Sequence, residues 1–224
     1  MPKAGEITYF ASIADVELKH TIAKPFGHPD RADLLANLAG VFSKLPPAPA
    51  KILDMGCGTG WTSIAFARAG YQVHGVDIAP DAIEIANREA KGLGATFEVC
   101  DYESLRADGF DAVVFFDCLH HAEDPKLAVS AAFRALKPGG RMITNEPGFG
   151  HGRSPESLHA MEAYGVTERS MPSILVRRLA KRAGFQSFAT YPLPRNVVAV
   201  GMIRSIYHAI VGRWLRSALT VAYK

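Results

Sequence analysis

Ile52-Leu53-Asp54-Met55-Gly56-Cys57-Gly58-Thr59-Gly60 is the stretch on which the fold turns. An apolar run ends in an acid, and three glycines follow at spacing two. The apolar residues read as a buried parallel strand, the glycines as a turn that brings main chain close to a ligand. A helix expected over 61–69, stopped by Gly70, would aim its amide-rich N-terminus at the same point. A second apolar strand over 72–76 ends at Asp77, 17 residues after Gly60. A carboxylate at that strand tip can accept both hydroxyl hydrogens of a ribose, so the pattern reads as a nucleoside site.

The glycine spacing separates two kinds of nucleoside. Dinucleotide sites use G-x-G-x-x-G, which brings amides onto a pyrophosphate; here the run is D-x-G-x-G-x-G. That run resembles the first motif of the class I S-adenosylmethionine-dependent methyltransferases. The resemblance continues in order from residue 51 to about 147. Val76-Asp77-Ile78 looks like the second motif, which implies that Asp77 holds the ribose and Ile78 packs on adenine. Phe97-Glu98-Val99-Cys100-Asp101-Tyr102 looks like the third strand, which implies that its closing acid, Asp101, meets the adenine amino group. Residues 110–117 look like the fourth strand, and Leu136-Lys137-Pro138-Gly139-Gly140-Arg141 like the turn before the fifth.

Strands at 51–55, 72–76, 95–99, 111–116 and 140–145 alternate with helices at 61–69, 80–92, 125–136 and 172–183. That alternation predicts an α/β, doubly wound, Rossmann-like sheet covered on both faces. The resemblance implies seven strands in the order 3-2-1-4-5-7-6, the seventh antiparallel. Residues 218–223 are the choice for that strand, with 197–200 as competitor, and 185–191 is the sixth, broken by Pro192-Leu193-Pro194. A single domain is expected. Residues 1–45 form an N-terminal helical cap, 51–147 the cofactor-binding half, and 148–224 a substrate loop, last helix and final strands. A helical insertion is expected over 196–215, carrying Ile203, Ile206, Tyr207, Ile210 and Trp214 at helical spacing.

Bulk properties narrow the classes. The 48% hydrophobic and 21% charged residues are ordinary for a globular chain and exclude a low-complexity or disordered one. Three scattered cysteines, with no C-x-x-C pair, argue against a zinc site or a disulfide framework and fit a reducing cytoplasm. The start lacks a secretory pattern, and no apolar run approaches the ~18 residues of a membrane span. A cytoplasmic protein is the expectation. Charge is uneven: residues 1–168 hold 22 acids against 15 Lys and Arg, whereas 169–224 hold ten basic residues and no acid. The basic quarter is either a solvated face or a contact for an anionic substrate or peripheral membrane.

The cofactor-binding candidates are Asp54, Gly56, Cys57, Gly58, Gly60, Asp77, Ile78, Asp101, Tyr102, Asp117 and Cys118, the last two by resemblance near the methionyl amino group. The sulfonium methyl is already activated, so transfer needs mainly positioning. A hydroxyl acceptor would also need a base. His120, His121 and Glu146 are the catalytic candidates, since they follow the fourth and fifth strands at the carboxyl edge of the sheet. His151 and His159 lie in the next segment, 148–172, which is read as the substrate loop. No metal is expected, because no His, Cys and carboxylate cluster has ligand spacing along the chain.

These readings point to S-adenosylmethionine as cofactor and to O-methylation of a glycan or other polyhydroxylated metabolite. The alternatives are a quinone-like or lipid-linked acceptor, and a module that binds the cofactor without transferring its methyl. Nucleic acid is not expected as a partner: Asp117-Cys118-Leu119-His120 stands where amino-group methylases of bases carry an Asn/Asp-Pro-Pro-Tyr/Phe run. Oligomerisation is left open.

Overall fold

A computed structural model describes residues 2–12, 21–192 and 218–224. The helices among them are α1 (Pro2–Ser12), α2 (Arg31–Phe42), α3 (Trp61–Arg68), α4 (Pro80–Glu89), α5 (Pro125–Ala135), α6 (Pro155–Tyr164) and α7 (Ser173–Ala183). The strands are β1 (Lys51–Met55), β2 (Gln72–Asp77), β3 (Ala95–Val99), β4 (Phe110–Phe116), β5 (Leu136–Glu146), β6 (Ser187–Pro192) and β7 (Ala218–Tyr223). They form one seven-stranded sheet in the order β3-β2-β1-β4-β5-β7-β6. β1 to β5 run parallel, and β7 lies antiparallel between β5 and β6. The doubly wound sheet and the choice of 218–223 as its antiparallel strand are borne out. The competing 197–200 segment and the helix expected over 196–215 lie outside the described residues.

The apolar strands are apolar because both sheet faces are covered. On β4, Val113 and Phe115 face a core completed by Ala128, Val129 and Ala132 of α5 and by Val176 and Leu179 of α7. Ala112, Val114 and Phe116 face the opposite core, with Val41 of α2 and Phe66 of α3. The same alternation separates Leu53 from Ile52 and Met142 from Ile143. Each such side chain brings roughly 1.5–3 kcal/mol when fully buried, so a one-residue slip of any central strand would exchange two packed faces at once.

Helix starts follow local chemistry. Pro80, Pro125 and Pro155 each open a helix, where the missing N–H costs nothing. Asp124 and Ser154 cap their helices by accepting from the main chain of Lys126 and Ser157. Three expectations shift. The fifth strand begins at Leu136 rather than 140: Phe110 pairs with Leu136 and Ala112 with Arg141, so 137–140 bulge out of register. The sixth strand spans Ser187–Pro192 rather than 185–191, and Pro192 as its terminal residue need not donate to the ladder. The segment over 148–172 is not an open loop, for it contains a 3-10 turn at His151–Arg153 and all of α6.

Strand order reverses between β1 and β4, where the crossovers leave in opposite directions. The carboxyl ends of those two strands therefore part into a crevice, and the functional candidates collect there.

Candidate active site

The loop after β1 is built by main-chain hydrogen bonds. Gly56 and Cys57 N–H both donate to the Val76 carbonyl, at 2.8 and 3.1 Å, and Gly60 N–H closes back onto the Cys57 carbonyl at 2.9 Å. All three glycines have positive φ. At Gly56 a Cβ would stand 2.7 Å from the Cβ of Cys118, so β1 and β4 can approach there only without a side chain.

Asp77 accepts from Gly58 N–H through one oxygen at 2.8 Å and from Ala79 N–H through the other at 2.9 Å. Each carboxylate oxygen keeps a lone pair for a further donor. Burial raises the Asp77 carboxyl above its ordinary range. Asp54 does something different. It is 1% exposed and accepts from the Thr62 and Ser63 hydroxyls, both at 2.6 Å, which ties the loop to the first turn of α3. Burial pushes it up to about 6, against the pull of those two hydroxyl bonds.

A cavity of about 310 Å³ opens over this loop. Gly56, Cys57 and Gly58 line it, with Asp77 and Ile78 from the second strand end. Asp101, Tyr102, Asp117, Cys118 and His121 complete the wall that the sequence anticipated. Asp54, Gly60, His120 and Glu146 do not line it; they stand one layer behind. Asp117 is the one non-glycine residue with positive φ among those described, at 57°, a conformation that turns the chain at the end of β4. The thiols of Cys57 and Cys118 are raised well above their ordinary value by burial, so neither is a thiolate nucleophile.

The two histidines sit on the 3-10 turn Leu119–His121 directly after β4. Glu146, 3% exposed at the end of β5, fixes that turn. Its carboxylate accepts from the main chain of Cys118, Leu119 and His120 at 3.1, 2.9 and 3.2 Å, and it lies 2.8 Å from His120 Nδ1. Burial alone would lower His120; the bond and charge of Glu146 outweigh it and hold the imidazole up at about 9. His121 goes the other way. Burial, then the neighbouring His120 charge, depress it, so it stays neutral where it faces the cavity. Its Nδ1 lies 2.6 Å from the Thr167 carbonyl. The adjacent rings are 4.0 Å apart, and their split protonation leaves a neutral imidazole at the cavity wall with the charged one behind it.

Several contributors carried no signal in the sequence. α1 lies over the cavity and adds Lys3, Glu6 and Tyr9 to its wall. Lys3 pairs with Asp101 and Glu103. Glu6 accepts from Thr167 N–H at 2.6 Å and is raised to about 7, chiefly by burial. Lys24 lines the cavity too, its ammonium lowered by burial. Glu168 also reaches the wall, with His151 Nε2 2.7 Å from its Oε2. Spacing along the chain gave no metal cluster, yet the fold brings His120, His121 and Glu168 together, with one ligand atom of each within 4.8 Å of the others. His159 stands apart, its ring beside Tyr164.

Comparison with known proteins agrees with this architecture. Residues 53–144 match the family model described as a methyltransferase domain. A ubiquinone biosynthesis O-methyltransferase of Xanthomonas axonopodis pv. citri is 37% identical over 108 residues, 46% of this chain and 45% of that protein. This chain therefore matches less than half the length of that relative. Among solved structures, magnesium protoporphyrin IX methyltransferase from Synechocystis superposes with a TM-score of 0.66 at 18% identity, covering 100% of this chain and 97% of that one. Phosphoethanolamine N-methyltransferase 2 of Haemonchus contortus gives a TM-score of 0.64 at 21% identity, over 88% of this chain and 53% of that one. At such identities these two speak for the fold alone.

Proposed function

We infer that this chain, whose residues 53–144 match the methyltransferase-domain model, is a class I S-adenosylmethionine-dependent methyltransferase that transfers the cofactor's methyl group to a hydroxyl oxygen of a phenolic, quinone-type small molecule. The observation that carries the reading is the cavity at the β1/β4 crevice, walled on one side by the Gly56–Gly58 turn with Asp77 and on the other by His121. The residues present fit the cofactor. The Gly56–Gly58 turn lines the cavity, and the Asp77 carboxylate faces it with lone pairs to spare.

In this reading Asp77 holds the ribose hydroxyls, Ile78 packs on the adenine, and Asp101 and Tyr102 flank its far edge. Asp117 and Cys118 meet the methionyl tail, the former as a counter-charge to its ammonium. Asp54 and Gly60 act through the loop, keeping its amides in place. When bound, the cofactor supplies a methyl group on a sulfonium, already activated for displacement. The chain's own task is to hold the acceptor oxygen in line at about 3 Å and to take its proton. His121 is the group facing that space in neutral form, and His120 with Glu146 behind it fixes its position.

The acceptor class rests on the relatives, whose names specify an O-methyltransferase of ubiquinone biosynthesis. The glycan acceptor expected from the sequence has no comparable support. Calorimetry with S-adenosylhomocysteine, followed by transfer of labelled methyl to a panel of catechols, hydroxybenzoates and sugars, tests the proposal. Product from phenols but not sugars is expected. Tight cofactor binding with no acceptor in any panel would favour a binding module.

A further inference from the structure

We propose that His120, His121 and Glu168 bind a divalent transition-metal ion at the acceptor end of the cavity, a step that rests on reading this cavity as the methyl-transfer site. It reverses the expectation drawn from spacing. The donors come from two separate stretches, the turn after β4 and the approach to α7, and only the fold assembles them.

The geometry behind the donors points to a metal more than to a pair of ordinary buried histidines. Each imidazole has its Nδ1 committed: His120 to the Glu146 carboxylate at 2.8 Å and His121 to the Thr167 carbonyl at 2.6 Å. A carboxylate or carbonyl behind Nδ1 is the arrangement that fixes the tautomer and aim of a ligating histidine, leaving Nε2 for the ion once the His120 imidazolium releases its Nε2 proton to solvent as the metal binds. His120 Nε2 lies 3.7 Å from Glu168 Oε2. His151 Nε2 approaches the same oxygen to 2.7 Å, an ion-pair distance that holds the carboxylate in place. Its ring stands perpendicular to that of His120 at 4.9 Å. Two imidazoles thus face one carboxylate oxygen, and a ligand atom of His121 lies within 4.8 Å of the His120 and Glu168 ligand atoms, a grouping that a cation between them would serve.

Charge agrees. Glu6, Glu146 and Glu168 all converge here, and Glu6 Oε1 is 3.6 Å from His121 Nδ1. The donor set selects the ion's class: two imidazole nitrogens and a carboxylate suit Zn²⁺, Co²⁺ or Fe²⁺, whereas Mg²⁺ and Ca²⁺ prefer all-oxygen shells. With bonds of ~2.0–2.1 Å, neighbouring donors should be about 3.3 Å apart. The cluster would therefore contract by about 1.5 Å at its widest. His121 and Glu168 lie at the cavity edge, where side-chain rotation can supply that movement. An ion held there would have open positions facing the acceptor, and a hydroxyl bound to it would lose its proton to solvent water near neutral pH, leaving an oxygen nucleophile for the methyl group. In the loaded state His121 is a ligand, and acidification of the hydroxyl does the work assigned to it as a base in the metal-free chain.

The test uses the full chain, stripped with a chelator and titrated with Co²⁺, followed by absorption in the visible d–d region and by calorimetry, with Zn²⁺ as competitor. One Co²⁺ per chain, displaced by Zn²⁺, is expected. Glu168→Gln and His151→Asn, each checked for an unchanged melting profile, should weaken binding by at least tenfold and by a smaller factor, respectively. Absence of Co²⁺ and Zn²⁺ binding at millimolar concentration would overturn the proposal, as would equal affinity in folded Glu168→Gln. S-adenosylhomocysteine is titrated into the same stripped protein. Cofactor binding without metal binding sinks the metal site and leaves the proposed function standing; metal without cofactor does the reverse.

Discussion

The Glu146 carboxylate at the end of β5 lies 2.8 Å from Nδ1 of His120 and also accepts from three consecutive main-chain N–H groups, those of Cys118, Leu119 and His120. One buried side chain thus sets the turn that carries both histidines. Removing it leaves three buried donors and an imidazolium without a partner. Glu146→Ala should cost about 3–5 kcal/mol of stability, the range for breaking a buried pair from one side. Glu146→Gln keeps an acceptor oxygen and should cost less in stability, while still disturbing the aim of His121. Urea melts of the two variants check the order. If Ala proved no worse than Gln, Glu146 would not be what holds the turn.

Asp77 carries the clearest binding prediction. Asp77→Ala removes the acceptor proposed for the ribose and also frees Gly58 N–H and Ala79 N–H. Affinity for S-adenosylhomocysteine should fall by roughly 2–3 kcal/mol, about 30- to 150-fold, since hydrogen bonds to charged groups are individually worth ~1.5–3 kcal/mol. Calorimetry giving an unchanged affinity would falsify the ribose assignment.

What could be read from the sequence was what has a local cause. Strands buried on both faces must be apolar throughout, as in Val113-Val114-Phe115-Phe116, and a tight turn onto a ligand must be glycine-rich. α6 was missed because only Ser157 of its residues is buried, so no apolar period marks it; its signals were Ser154-Pro155 at the start and Gly165 at the end. The contributions of Lys3 and Glu6 had no such local mark, because their partners Asp101 and Thr167 are remote in the chain. The histidines were legible as a pair. Which of them faces the cavity was not, because that depends on how Glu146 orients the turn. The apolar row from Ile203 to Trp214 lies outside the described residues.

Asp54 gives a stability prediction in pH. Its folded carboxyl sits at about 6 against an ordinary value of 3.8, raised by burial. A carboxyl that is raised on folding favours the folded state while it stays protonated. That stabilisation is present below pH 3.8 and lost as pH climbs through 6, where the buried carboxylate must ionise. The difference corresponds to about 3 kcal/mol. Asp54→Asn cannot ionise, yet its carbonyl oxygen can accept from both Thr62 and Ser63. Denaturant melts between pH 4 and 7 should show a shallower pH dependence for Asp54→Asn, with stability at pH 7 equal to or above that of the parent. A variant much weaker at pH 7 would mean that the ionised carboxylate, and not merely an acceptor, is needed to hold α3.

The last prediction concerns α1, which roofs the cavity on very close terms. Gly5 packs against the main chain of Tyr164 and Gly165, where any Cβ would clash with backbone. Gly165 has φ of 69° as the left-handed cap of α6, so it cannot readily yield. Tyr9 meets Tyr164 edge to face at 5.3 Å, and Glu6 reaches Thr167, so α1 is fastened to the segment that leads into α7. Gly5→Leu should lift the helix without disturbing the sheet. The melting temperature should then fall by only about 2 °C, because none of the described α1 side chains belongs to either core. Loss of the roof should instead appear in the ligand, as S-adenosylhomocysteine release about tenfold faster, followed in stopped flow by the fluorescence of Trp61 in the cavity wall. Unchanged release with a folded variant would show that α1 covers the cavity without retaining what it holds. A large drop in melting temperature would instead make α1 part of the folding core.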